Sequence, residues 1–240
     1  MKPCGLIVAV IVSMIYSCDA HGRMTSPPAR KITPLYLDRC YAGLKGAGND
    51  DLLLDSLESL STKKQADRPH SPLFDVGNGC RGTVFEPAIQ PISTFDADEN
   101  VKVEWEIQHK AFGYLEINVV KKNDGDYKTT LITYSKVKTL HRIDNFGTSE
   151  GTGSAVVKIP GSLDECKHVG MCALQFHWRS DSSKETFDTC ADFIIKDPPK
   201  PDATPSVTPA PPTATPTPTP KASPSMINFN VLDRRFIPRV

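Results

Sequence analysis

Val101, Val103, Trp105, Ile107 and His109 share one parity, while Lys102, Glu104, Glu106 and Gln108 share the other. A two-residue period of this kind is a strand with one buried and one wet face. Leu115, Ile117 and Val119 repeat it after the polar break at Lys110–Gly113, so the two runs predict a hairpin. Shorter candidates follow at Thr83–Glu86, Thr129–Tyr134, Ala155–Ile159, Ala173–Arg179 and Cys190–Ile195. Seven or so short strands separated by polar turns predict an all-β fold, an immunoglobulin/fibronectin-III-like antiparallel β-sandwich. One stretch keeps a different period: Leu53, Leu57 and Leu60 fall at helical spacing within Asp50–Lys64, which predicts a short helix inside a long early loop.

The ends of the chain follow other rules. Lys2, the apolar run Gly5–Tyr16 and the small residues Cys18 and Ala20 predict a secretory signal peptide over residues 1–20, the cut after Ala20 fitting the small-residue pattern better than one a few residues away, for instance after Ser17. Cleavage after Ala20 makes His21 the first residue of the mature chain. From Pro198 to about residue 225 the sequence is almost wholly Pro, Thr, Ala and Ser, a composition that cannot bury a core and predicts an extended, solvated linker. Residues 226–240 form a short tail with no functional reading. Of the 240 residues, 21–197 are left for one sandwich domain.

Charge and cysteines narrow the class. The formal net charge is zero and no long basic block is present, so nothing favours a nucleic-acid or anionic-membrane partner; an uncharged polymer is compatible. No oligomerisation signal is evident, and a monomer is expected. Of seven cysteines, two lie in the leader, leaving Cys40, Cys80, Cys166, Cys172 and Cys190. Secretion and the lack of a C-x-x-C pair make these disulfide candidates. Cys166 and Cys172 suit a local bridge; Cys190 then needs Cys80 or Cys40, and Cys80–Cys190 with Cys40 left over is the favoured set.

Two of the six histidines of the mature chain stand out, His21 at the new terminus and His109 at the end of its apolar-faced strand. A lone strand histidine is ordinarily structural. Together with the freed amine of His21, whose pKa is about 8, the pair offers three nitrogens. Such a donor set suits copper, which favours tetragonal geometry and imidazole ligands.

The run His-Gly-Arg-Met-Thr-Ser-Pro-Pro-Ala-Arg at His21–Arg30 resembles the start of lytic polysaccharide monooxygenases, most closely auxiliary activity family fifteen. QHKAFGYLEI around His109, CALQFHW at Cys172–Trp178 and ETFDTCADFII at Glu185–Ile195 continue the resemblance across most of residues 21–196. It implies one copper ion held by the amine and side chain of His21 and by His109, the arrangement called a histidine brace. Phe187 would be the aromatic shielding copper's axial side, and Glu185 an acid that hydrogen-bonds nearby and passes protons. Gln175 and His177, sharing a strand face, are further candidates near the metal. The implied reaction is oxidative cleavage of glycosidic bonds with an external electron donor and O2 or H2O2.

Two stretches depart from the family pattern, RSDSSKE at Arg179–Glu185 and KITPLYLDRC after Arg30. Both concern loops expected to flank the metal. Chitin and cellulose are the substrates the resemblance implies, and the scarcity of aromatics in the loops weakens the cellulose case. Pectin stays open because Arg23, Arg30 and Lys31 could meet an acidic polymer. A non-catalytic secreted copper-binding protein and a metal-free carbohydrate-binding module on a stalk are the alternatives.

Overall fold

A computed structural model describes residues 21–40, 49–62 and 70–196. The expectations for the leader, the Pro/Thr-rich linker and the C-terminal tail concern residues outside these. Eight strands build two facing sheets: β1 (His21–Ser26), β2 (Ile92–Asp96), β3 (Asn100–His109), β4 (Gly113–Lys122), β5 (Tyr134–Phe146), β6 (Gly151–Lys158), β7 (Cys172–Ser180) and β8 (Thr186–Lys196). The smaller sheet has the order β1-β3-β6 and the larger β2-β8-β7-β4-β5. This is the expected all-β sandwich.

The alternation that defined β3 also places the core. Val101, Val103, Trp105 and Ile107 point inward to meet Leu115, Ile117, Val119, Phe176, Trp178 and Phe193 from the opposite sheet. The middle strands of the larger sheet are buried on their other face as well. There Val120, Ala173 and Cys190 carry a second cluster with Val84, Ile132 and Tyr134. The Cys80–Cys190 bridge pins that covering loop to β8, and Cys166–Cys172 closes the turn into β7. Cys40 stays outside both bridges, with its thiol directed at the Leu37 carbonyl.

Four features correct the sequence reading. The sheets are not wholly antiparallel, because β2 runs parallel to β8 from Ile92↔Asp192 to Asp96↔Lys196. The single helix expected over Asp50–Lys64 is two, α2 (Asn49–Leu54) and α3 (Leu57–Thr62), following an unanticipated α1 (Pro34–Arg39). They are separated at Ser56, whose hydroxyl accepts from the Ser59 N–H and so caps a new helix. Thr83–Glu86 is not a strand: the side chain of Asn78 takes up the Cys80 and Gly82 N–H groups and the Thr83 carbonyl, building a buried loop. Thr129–Tyr134 is a turn leading into β5, a 13-residue edge strand whose bulged register against β4 removes the simple alternation.

Candidate metal centre

β1 and β3 are antiparallel neighbours, and their register sets His21 directly opposite His109. The two imidazole centroids are 5.2 Å apart with planes tilted by 59°. An imidazole nitrogen binds a metal at about 2 Å, which puts each ring centre about 3 Å from a shared ion and limits the pair to about 6 Å apart. The observed spacing lies within that limit. His109 keeps the core parity of β3, yet its side chain is 55% exposed because the strand has run past the end of the sandwich; its Nδ1 lies 3.7 Å from Glu150 Oε1. Among the described residues no three His, Cys, Asp or Glu side chains cluster as a metal site. The third donor of the expected set is a backbone amine, created only by cleavage before His21.

The floor beneath the pair is apolar and tight. Trp178 is fully buried, with its ring 4.6 Å from that of Phe187 between centroids. Gly22 is required by this packing, because a Cβ there would lie 2.8 Å from Trp178 Cζ3. Phe187 is fully buried too, so it belongs to the inner face of β8 under β1. Trp178 Nε1 is a buried donor that finds no partner among the described residues.

The side wall comes from the α2–α3 junction. Asp55 Oδ1 stands 3.1 Å from His21 Nε2, with the carboxylate side chain only 10% exposed. The next residue, Ser56, donates its hydroxyl to Glu185 Oε1 at 3.0 Å, while the buried Glu185 Oε2 has no partner among the described residues. Glu58 then binds Arg179 and Thr186. Sequence reading missed Asp55 altogether, because Leu53, Leu57 and Leu60 keep helical spacing straight across the point where the helix breaks.

Not every candidate joins the site. Gln175 and His177 lie on the outer face of β7, with Trp178 on the inner one. Gln175 is held by Asn118 and by the Gly79 carbonyl, and His177 Nδ1 bonds Asp188 Oδ1 at 2.7 Å. Burial works to lower the His177 pKa, but the hydrogen bond and charge of Asp188 outweigh it and hold the imidazole above its ordinary value. The cations proposed to meet an acidic polymer are also largely committed. Arg30 is buried in a bidentate pair with Asp192 and stacks on Tyr134, and Arg23 bonds Glu106; only Lys31 is exposed. The Arg30–Asp192 pair ties the first motif to the last. Phe112, three residues beyond His109, is 46% exposed, and its carbonyl is anchored by the Asp181 N–H and the Ser180 hydroxyl.

No protein-family model and no curated protein sequence matches the chain. Several solved structures are similar in fold, and lytic polysaccharide monooxygenases recur among them. A chitin binding domain from Burkholderia pseudomallei aligns at 14% identity over 74% of this chain and 100% of that one, with a TM-score of 0.43. A monooxygenase of auxiliary activity family fifteen from Thermobia domestica, in the Cu(I) state, aligns at 17% identity over 73% and 98%, with a TM-score of 0.41. A monooxygenase important for chitin utilization in Cellvibrio japonicus gives 14% identity, coverage of 72% and 99%, and a TM-score of 0.40. No helix among the described residues is long and apolar enough to cross a membrane.

Proposed function

We propose that the mature protein is a secreted copper-dependent monooxygenase that cleaves glycosidic bonds of a structural polysaccharide oxidatively. The observation that carries this reading is the β1–β3 register, which sets His21, the first mature residue in this reading, directly opposite His109 with the two rings 5.2 Å apart. The residues fit a copper ion: His21 would supply its α-amine and imidazole and His109 its imidazole, three neutral nitrogen donors of the type copper prefers. Copper would supply the redox chemistry, with electrons from an external donor and O2 or H2O2 as cosubstrate.

The chain's own part is to hold, shield and deliver. The buried Trp178–Phe187 pair keeps water from beneath the histidines and fixes the start of β1 through its contact with Gly22. Glu185, anchored through one oxygen by Ser56, has its other oxygen available to accept or pass a proton. Three residues beyond His109, the exposed and backbone-anchored Phe112 would offer an apolar face to a sugar ring. With Arg23 and Arg30 internally paired, the reading favours a neutral polymer such as chitin or cellulose over pectin.

Intact mass spectrometry of the secreted protein, with N-terminal sequencing and one equivalent of copper, tests this directly. A chain beginning at His21 that retains one copper ion, makes peroxide with a reductant and releases oxidised oligosaccharides from one of the three polymers is the expected result. A chain beginning elsewhere, or one that ignores copper, overturns it. Copper binding without either product would make the protein a carrier.

A further inference from the structure

We infer that Asp55 is a positioning residue for the metal centre, selecting which nitrogen of His21 faces the ion; this rests on the copper reading above. The α-amine and Nδ1 of one histidine can close a six-membered chelate ring with a metal, whereas Nε2 of that residue points away from its own backbone. Asp55 Oδ1 stands 3.1 Å from Nε2. A carboxylate there accepts a hydrogen bond from Nε2–H, which leaves the Nδ1 lone pair for the metal and holds the ring's rotation, as partners of metal-binding histidines do.

The support behind Asp55 is rigid, which a chance surface pair would lack. Its backbone carbonyl accepts from Arg81 Nη1, whose guanidinium is fully buried and also binds the carbonyls of Leu52 at 3.3 Å and Asp188 at 2.9 Å. Ser56 is fixed between the Ser59 N–H and Glu185. The carboxylate is therefore presented from a junction tied to both helices and to β8. It belongs to a segment outside every motif that resembles the monooxygenases.

The test uses mature full-length protein beginning at His21, stripped of metal and titrated with Cu(II) against a competing chelator. Affinity, the EPR spectrum of the Cu(II) form and the unfolding midpoint of the metal-free form are compared for wild type, Asp55→Asn and Asp55→Ala. Asp55→Ala is expected to weaken copper binding about 10–100-fold and to alter the copper hyperfine coupling. Asp55→Asn, whose amide oxygen can still accept from Nε2–H, is expected to recover most of both. Unchanged affinity and EPR in Asp55→Ala overturn the inference while leaving the copper reading in place. Equal losses in both variants, matched by equal drops in the metal-free midpoint, overturn it as a mere folding effect. Loss of a metal-bound oxygen in the X-ray absorption spectrum of Asp55→Ala overturns it by making Asp55 a ligand. A wild type that takes up no copper overturns both readings.

Discussion

Gly22 and Trp178 are in direct contact across the two sheets: a Cβ built on the glycine would lie 2.8 Å from the indole and 3.1 Å from the Glu106 carbonyl. Neither neighbour is free to retreat, since the indole is wedged against Phe146 and Phe187 and the carbonyl belongs to β3. Gly22→Ala is therefore expected to cost about 1–3 kcal/mol, the usual range for overpacking a filled core. Urea unfolding measures it. An unchanged midpoint would mean that β1 slides freely over Trp178.

His177 and Asp188 make stability depend on pH. The folded imidazole titrates above its ordinary value, with Glu116 adding to the pull of Asp188 and Lys136 opposing it. A raised folded pKa gives a contribution that is complete below the unfolded value of about 6.5 and lost as pH rises through the folded one. The stability gap between wild type and Asp188→Asn should thus be wider at about pH 5 than at about pH 9. Urea titrations at the two pH values measure it, and a gap that widens toward alkaline pH would contradict the pairing.

The two disulfides should differ in weight. Cys80–Cys190 closes a sequence separation of 110 residues and Cys166–Cys172 one of 6. On chain entropy alone these are worth about 5 and about 2 kcal/mol. Paired Cys→Ser variants unfolded in denaturant should preserve that order, and a reversal would show that the local bridge does more than shorten the unfolded chain.

Copper itself should stabilise the fold, since only the folded chain brings His21 opposite His109. At a free concentration 100 times Kd, binding is expected to add about 2.7 kcal/mol, which a chelator removes. His109→Ala should abolish the increment while barely moving the metal-free midpoint, because the side chain is half exposed. An increment that survives in His109→Ala would place the ion elsewhere.

Much of the sandwich was legible because its central strands obey one physical rule, in which alternate residues of β3 and β4 meet the core. β5 was not, since it is an edge strand with both faces largely wet, and its bulges shift the parity of Leu140 and Ile143. The histidine pair was legible through its motifs. Asp55 was not, because its place beside His21 depends on where a helix breaks, and that is decided by the Ser56 cap and the buried Arg81 rather than by any periodicity. Gln175 and His177 illustrate the reverse error: nearness to a motif in sequence does not settle the face of the strand, and here a single position separates the core side of β7 from its outer side.

The outermost place of β5 also bears on how the protein behaves when crowded. Among the described residues, an edge strand of 13 residues has no strand neighbour on one side, the template on which chains stack edge to edge into aggregates. β5 instead exposes Lys136, Lys138 and Arg142 along much of its length. Lys136 and Arg142 pair with Glu116, and Arg142 also with Asp144, so a second copy approaching that row would have to strip a hydrated layer of paired charges before its backbone could bond, which discourages two molecules from fusing their sheets.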